Sequence, residues 1–219
     1  MTRRARSASQ YGTQKVAIPI NTFEDVYLKL ERILGKGEMA VIGGQAVNVW
    51  CHEQRRGSHD IDIVVRKELT SDDYARLEAE GFFSRYDKKL RFVGFSYTDH
   101  YFGNVDIDLM SQGRPINGIS QEMLFNNLEE RPIGGARGSM AMVPSKALLA
   151  VMKMDSKREQ DIKDVWNILH NFYNGSSREF VSTERALLMD LFGSSDRVAA
   201  FQSMMDGILY DGLTRVRRR

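Results

Sequence analysis

The chain has 219 residues, 42% of them hydrophobic, with 31 Lys and Arg against 29 Asp and Glu, which gives a net charge of +2. This composition is ordinary for a soluble globular protein, and it excludes the overall basic field that would by itself indicate nucleic acid binding. No apolar run reaches the roughly 20 residues that cross a bilayer, and a single cysteine, Cys51, excludes an internal disulfide. We therefore expect a cytoplasmic protein with no membrane partner, in which Cys51 is packed inside an apolar helix.

Both ends of the chain are rich in basic residues. Residues 1–15 contain four basic residues and no acidic one, and residues 215–219 contain four arginines. Such tails can contact RNA phosphates, but solvated chain ends explain them at least as well. Residues 1–18 are accordingly predicted to form a flexible basic N-terminal segment.

The first predicted helix begins with Asn21 or Thr22 as its cap and ends near Leu34. An apolar strand at 39–42 follows and stops at the pair Gly43-Gly44. A second helix is predicted from Gln45 to about Glu53. Glycines at such a turn let the backbone approach a phosphate and direct N–H groups towards it.

The next strand, near 60–65, carries two acidic residues. Because side chains alternate along a strand, Asp60 and Asp62 lie on one face while Ile61 and Ile63 lie on the other. Two neighbouring carboxylates repel each other unless a cation lies between them. Mg²⁺, which takes oxygen ligands and keeps waters and substrate phosphates around it, fits that requirement.

Further elements follow in order: a helix at 71–80, strands at 82–88, 90–97 and 104–110, a short helix at 121–129, a glycine-rich connector at 131–138 and a strand at 140–143. In the strand at 104–110, Asp106 and Asp108 share one face. After Pro144 the pattern is helical, at 145–154, 158–174, 178–192 and 195–210. This change in periodicity predicts a catalytic domain at 19–143 and a helical C-terminal domain with a basic tail at 144–219.

This arrangement of a Gly-Gly turn and an Asp-x-Asp strand resembles the nucleotidyltransferase superfamily, which has the polymerase-beta-like fold. The segment from Arg56 through Ser58 to Asp62 is similar to the Arg-x-Thr-x-Asp-x-Asp motif of the abortive-infection nucleotidyltransferase toxins, with serine in place of threonine. The resemblance implies an α+β fold, in which a small mixed β-sheet flanked by helices is followed by a C-terminal helical bundle.

The family pattern implies a third carboxylate on a later strand. Asp106 is the favoured residue because Gly-x-Val-Asp-Ile resembles the single-acid form of that strand, and Asp108 remains an alternative. Without the resemblance, either acid would be explained as a solvent-facing residue of a half-buried strand. With it, Asp60, Asp62 and Asp106 are expected to bind two Mg²⁺ ions, with Mn²⁺ as an alternative metal.

A second group of polar residues lies in the predicted C-terminal helices. Lys153 matches the lysine of the toxin family that is thought to contact nucleotide phosphates. Arg158, Asp161 and Asp164 are spaced at i, i+3 and i+6 and share roughly one helix face, so they are expected to orient Lys153 or the substrate. Surface ion pairs of little energetic value explain Arg158 and Asp164 about equally well.

The resemblance implies transfer of a nucleoside monophosphate from a nucleoside triphosphate to an acceptor hydroxyl, with loss of pyrophosphate. Gly43, Gly44 and Ser58 would contact the phosphates, while Lys153 and Arg56 would neutralise the pyrophosphate. RNA, and tRNA in particular, is the expected acceptor, and a cognate antitoxin is a possible partner. The alternatives are adenylylation of a small molecule or protein, a catalytically silent nucleotide-binding or antitoxin-like module, and a metal-dependent phosphohydrolase, which the absence of metal-ligand spacing among the four histidines disfavours.

Overall fold

The structure is a computed structural model that describes residues 16–51, 57–86, 93–110, 118–156 and 158–216. Its strands are β1 (Met39–Val41), β2 (Asp60–Val65), β3 (Phe82–Tyr86), β4 (Val93–Asp99), β5 (Gly103–Met110), β6 (Leu128–Pro132) and β7 (Met140–Pro144). Its helices are α1 (Ile20–Leu34), α2 (Gly43–Trp50), α3 (Ser71–Ala79), α4 (Gln121–Asn126), α5 (Lys146–Ser156), α6 (Glu159–Phe172), α7 (Ser177–Thr183), α8 (Arg185–Phe192) and α9 (Ser195–Val216).

A five-stranded mixed sheet in the order β1-β2-β5-β4-β3 forms the centre of the fold. Strands β2 and β5 are parallel, and the other neighbouring pairs are antiparallel. Strands β6 and β7 form a separate two-stranded sheet beside β1. This is the mixed α/β arrangement that the sequence predicts, with helices against a small sheet and five helices after the last strand.

One face of the large sheet is apolar because alternate residues of its strands are apolar. Ile61, Ile107 and Phe95 lie on this face, each almost completely buried. Helix α3 packs there through Leu77 and through Tyr74, whose ring is stacked on Phe95. The opposite face therefore carries the polar members of the same strands.

Helix α1 is joined to the loop between β6 and β7 by a buried carboxylate. Glu24 accepts hydrogen bonds from the backbone N–H groups of Arg137 and Ser139, at 3.0 and 2.9 Å. The predicted cap at Asn21 or Thr22 is wrong, because the helix begins after Pro19. The Asn21 side chain instead accepts the N–H of Ala136 in the same loop.

Two other predicted elements differ from the structure. Strand β6 lies where the sequence predicted the end of a helix at 121–129 and the start of a connector at 131–138. Its residues Glu129, Glu130 and Arg131 are all charged, so the alternating apolar pattern that indicates a half-buried strand is missing. The predicted helix at 178–192 is interrupted at Glu184, whose carboxylate accepts the hydroxyl of Tyr173 and lies 3.8 Å from the ammonium of Lys146.

Among the described residues, no helix combines the length and the apolar character needed to cross a membrane. The division into domains at residues 143 and 144 stays a prediction.

Candidate active site

The Gly-Gly turn lies directly against the carboxylate of Asp62. Gly43 has a φ of +64°, and a Cβ added to it would lie 1.9 Å from Oδ2 of Asp62. The N–H of Ile42 also donates to the backbone oxygen of Asp62 at 2.9 Å. Since Gly43 is the first residue of α2, this carboxylate lies at the N-terminus of a helix, where the helix dipole favours negative charge.

Four aspartates lie on one face of the sheet in two neighbouring strands. In the parallel register of β2 and β5, Asp60 is paired with Asp106 and Asp62 is paired with Asp108. Paired residues of neighbouring strands point to the same side of the sheet. All four are half-buried, whereas Ile61 and its partner Ile107 between them are fully buried on the other face.

The electrostatics of the site are dominated by this concentration of negative charge. Burial, followed by the nearby carboxylates of Asp60 and Asp108, raises the pKa of Asp62 to about 6. The positive charges of Lys153 and Arg158 oppose that rise in pKa. Lys153 and Arg158 therefore do not fully compensate the negative charge of the carboxylates. A bound cation would reduce the remaining repulsion between them.

Ser58 contacts an acid of this group and is hidden from solvent. Its side chain is 3% exposed, and its hydroxyl donates to the backbone oxygen of Asp60 at 3.2 Å and to Oδ1 of Asp60 at 3.4 Å. Its backbone oxygen accepts the N–H of Ile18 at 2.8 Å. The hydroxyl thus orients Asp60. Arg56, the other predicted phosphate contact in this segment, lies outside the described residues.

Lys153 lies in a buried ionic network between α5 and α6. Its ammonium is 2.7 Å from Oδ1 of Asp161 and 2.9 Å from Oδ2 of Asp164. All three side chains are less than 10% exposed. Lys153 is therefore shared between Asp161 and Asp164, two of the residues whose helical spacing led us to expect a network that orients it. Its contact with phosphate stays a prediction.

Arg158 extends this network towards Asp60 and Asp62. Its Nε donates to Oδ2 of Asp161 at 2.5 Å, while its side chain is 75% exposed. The hydrogen bond and charge of Asp161, with added contributions from Asp62 and Asp60, raise the pKa of Arg158 above its ordinary value. Arg158 is accordingly the accessible cation of the network.

Two buried polar residues of α2 did not enter the sequence-based site. Asn48 donates its side-chain amide to Oε1 of Gln45 at 3.3 Å, and Nε2 of Gln45 is buried without a hydrogen-bond partner among the described residues. The signal in the sequence is an amide pair at i and i+3 within an otherwise apolar helix directly after the glycine turn.

The donor set of the four aspartates fits a hard divalent cation. No three His, Cys, Asp or Glu side chains within the described ranges are grouped closely enough to enclose a metal ion. Mg²⁺, however, is typically bound through one or two carboxylates together with waters and substrate phosphates. The neighbouring carboxylates supply those oxygens. The raised pKa of Asp62 reflects their mutual repulsion, which a bound cation would reduce.

Comparisons with known proteins give one family and several solved structures. The model of the aminoglycoside-2''-adenylyltransferase family matches residues 25–131, just under half of the chain. A nucleotidyltransferase-like antigen from Paracoccidioides brasiliensis is 13% identical, with 84% of this chain and 92% of that chain covered and a TM-score of 0.48. No curated protein matches this chain.

Two further structures are similar at the same level. The lincosamide antibiotic adenylyltransferase LnuA, with lincomycin bound, is 17% identical, with 70% of this chain and 97% of that chain covered and a TM-score of 0.47. JHP933 from Helicobacter pylori is 11% identical, with 88% and 94% covered and a TM-score of 0.42.

Proposed function

We propose that the chain is a nucleotidyltransferase that moves a nucleoside monophosphate from a Mg²⁺-bound nucleoside triphosphate to an acceptor hydroxyl. The match of residues 25–131 to an adenylyltransferase family supports this proposal. The observation that carries this proposal is the contact between the glycine turn and the carboxylates. Gly43 abuts Asp62, and Asp62 and Asp60 share a face with Asp108 and Asp106 on the neighbouring strand.

In this proposal Asp60 and Asp62 hold the metal, with Asp106 or Asp108 as the third carboxylate. The two candidates differ in position, because Asp106 is paired with Asp60 and Asp108 is paired with Asp62. Bound there, Mg²⁺ would lower the pKa of the acceptor hydroxyl and neutralise triphosphate oxygens. The donor set of the site is compatible with this role, as it contains carboxylate oxygen and no thiolate.

The bond that forms joins the acceptor oxygen to the α-phosphorus, and the bond that breaks joins the α-phosphorus to the oxygen bridging to the β-phosphate. The acceptor proton passes to the carboxylate of Asp106, or of Asp108 in the alternative assignment, and from there to solvent. Gly43 and Gly44 form the N-terminus of α2, and their backbone N–H groups are the proposed contacts of the β- and γ-phosphates.

Arg158 is proposed to neutralise charge on the departing pyrophosphate. It is an accessible cation whose charge is felt by Asp62 and Asp60, and it is paired with Asp161, which in turn is paired with Lys153. Asp161 then assists nucleotide binding by holding Arg158, and Lys153 assists it by holding Asp161. A direct contact between Lys153 and phosphate is a second proposed role of that lysine. Ser58 acts through Asp60, whose carboxylate it orients.

Two acceptor classes follow from different observations. The toxin-like motif around Ser58 and the basic chain ends favour an RNA acceptor, with a cognate antitoxin as partner. The match of residues 25–131 to an aminoglycoside adenylyltransferase family favours a small antibiotic-like molecule. Either acceptor would receive the nucleoside monophosphate from the nucleoside triphosphate by the same reaction.

The test is incubation of the purified chain with each of the four α-labelled nucleoside triphosphates, Mg²⁺, and either total RNA or an aminoglycoside. We expect release of pyrophosphate and transfer of label to one acceptor class, both abolished by EDTA and restored by added Mg²⁺. Bound nucleotide without any pyrophosphate release would instead support a catalytically silent nucleotide-binding module.

A further inference from the structure

Helix α2 is buried along its length beyond Gly43, and yet it contains two amide side chains. Gln45 is 2% exposed, and its Oε1 accepts the side-chain amide of Asn48 at 3.3 Å. Nε2 of Gln45 is enclosed by protein and finds no acceptor anywhere in the part of the chain that the structure describes. A buried donor without an acceptor costs free energy, so this amide requires an explanation.

Gln45 does not have the local role that a glutamine usually has at the third position of a helix. There, the side chain can accept the N–H of the residue before the helix, as in a capping box. In α2 that residue is Ile42, and its N–H donates instead to the backbone oxygen of Asp62 at 2.9 Å. The Oε1 of Gln45 accepts from Asn48, so the group left over is a donor. Nε2 therefore suits an acceptor from outside the helix.

Helices α2 and α6 pack against each other and begin at the same end of the site. Asp62 abuts the first residue of α2, and its charge adds to the effect of Asp161 in raising the pKa of Arg158, the residue before α6. At the other end of α2, burial and then the charge of Asp164 raise the pKa of Cys51 to about 11. The two helices therefore run in the same direction. We call the space between their first turns, residues 43–45 and 159–161, the crevice.

The amide of Gln45 is directed towards this crevice. Gln45, Asn48 and Cys51 follow one another at i, i+3 and i+6 along one side of α2. Because Cys51 is close to Asp164 of α6, that side faces α6. Side chains of a helix lean towards its N-terminus, so Nε2 of Gln45 points towards the first turn of α2.

The crevice has the chemistry of an anion site. The N-terminal ends of two helices favour negative charge there. Arg158 is 75% exposed at the start of α6. The two acids in the first turn of α6 are compensated, since Asp161 is paired with Lys153 at 2.7 Å and Glu159 is paired with Lys163 at 3.0 Å. A phosphate oxygen, which only accepts hydrogen bonds, matches a set of donors better than a base or a ribose does.

We propose that Nε2 of Gln45 donates a hydrogen bond to the γ-phosphate of the bound nucleoside triphosphate. This inference rests on the proposed nucleotidyl transfer and adds to it a residue that binds the substrate. The α-phosphate must lie at the acids, where its bond breaks. Gln45 lies about 200° around α2 from Gly43, the residue that abuts Asp62, so the distant end of the triphosphate is the part that reaches it. Because Nε2 is enclosed, admission of a phosphate oxygen requires a small shift of α6 away from α2.

The experiment measures equilibrium binding of ATP, ADP and tripolyphosphate with Mg²⁺ by the wild type and by Gln45→Met. Methionine is close to glutamine in size and has no donor, and Gln45→Leu repeats the test with a second side chain that lacks one. Gln121→Met is the matched control, because Nε2 of Gln121 already donates to the backbone oxygen of Val65 at 3.0 Å. Urea unfolding of every variant accompanies the binding measurements.

Both Gln45 variants should raise the Kd for ATP and for tripolyphosphate about tenfold to a hundredfold, the loss expected for one hydrogen bond to a charged group. The Kd for ADP should stay within about twofold of the wild-type value. The urea midpoint of Gln45→Met should equal or exceed that of the wild type, because a buried donor without an acceptor is removed. Gln121→Met should show the reverse, with a lower urea midpoint and unchanged Kd values.

Unchanged Kd values for ATP and tripolyphosphate in the Gln45 variants would overturn the assignment and leave an internal water as the partner of Nε2. An equal rise in the Kd for ADP would place the contact elsewhere on the nucleotide and overturn the γ-phosphate assignment. Loss of folding in both Gln45 variants would show that the amide stabilises the fold and would also overturn it. The proposed function fails separately, if the wild type binds ATP but releases no pyrophosphate with any nucleotide or acceptor.

Discussion

Gly43 and Asp62 are in such close contact that position 43 has no room for a side chain. A Cβ there would lie 1.9 Å from the Asp62 carboxylate, and the φ of +64° is one that residues other than glycine rarely adopt. The glycine turn and the acidic strand therefore form one unit, in which the position of the carboxylate depends on the glycine.

Gly43→Ala should displace the Asp62 carboxylate. Because a shift of about 1 Å in a catalytic group can reduce the rate about 100-fold, we expect at least that loss in pyrophosphate release. Gly37→Ala is the matched control, since Gly37 has a φ of +80° but no atom within 4 Å of an added Cβ. It should lose stability from the same backbone strain and keep its activity; equal loss of activity in both variants would contradict the contact.

Ser58→Ala should weaken metal-dependent activity through Asp60. Removing a residue that orients a metal ligand typically costs about 10-fold to 100-fold in metal affinity. We expect a rise of that size in the Mg²⁺ concentration for half-maximal activity, with the KM for nucleotide at saturating Mg²⁺ little changed. Ser58→Thr, which keeps the hydroxyl, should restore the wild-type Mg²⁺ dependence. If Ser58→Thr needed as much Mg²⁺ as Ser58→Ala, the result would argue against a role of the hydroxyl in orienting Asp60.

The alternation of residues in β2 and β5 made the two acidic faces predictable from sequence, and the glycine pair indicated the turn beside them. The pairing of Asp60 with Asp106 was not predictable, because strand register across 46 positions depends on tertiary packing. Sequence spacing also could not separate Lys153 from Arg158, since burial decides which of the two faces solvent.

Replacing Lys153 should mainly reduce stability, whereas replacing Arg158 should mainly reduce activity. Lys153→Met leaves the buried carboxylates of Asp161 and Asp164 without their shared cation, and breaking such a buried pair costs about 3–5 kcal/mol. Arg158→Gln removes an exposed side chain and should change the free energy of unfolding by about 1 kcal/mol or less while lowering nucleotide turnover. Urea unfolding and pyrophosphate release, measured on both variants, check this; a fully stable Lys153→Met protein would contradict the network.

Glu24 should make stability depend on pH. Burial alone would raise its pKa, but the backbone N–H groups of Arg137 and Ser139 outweigh burial and lower the pKa below the ordinary 4.5. A carboxyl with a lowered folded-state pKa stabilises the fold above its unfolded value, and that contribution is lost as pH falls through the folded value.

Glu24→Gln should therefore destabilise the protein by about 1–3 kcal/mol at pH 7, and the difference from the wild type should shrink below pH 4.5. Glu68→Gln, at an exposed position, is the control and should show neither effect. Urea unfolding across this pH range makes the comparison, and a difference that stays constant with pH would exclude the carboxylate as its source.

The most direct test of the central claim is Mg²⁺-dependent pyrophosphate release by Asp60→Asn and Asp62→Asn, measured beside the wild type and Asp72→Asn. Asp72 is an exposed acid in the first turn of α3, so its replacement controls for the loss of one negative charge. We predict that Asp60→Asn and Asp62→Asn each lose at least about 100-fold in turnover, while Asp72→Asn and the folding of all variants are unchanged. Wild-type turnover in either folded active-site variant would contradict the assignment of these carboxylates as the catalytic centre.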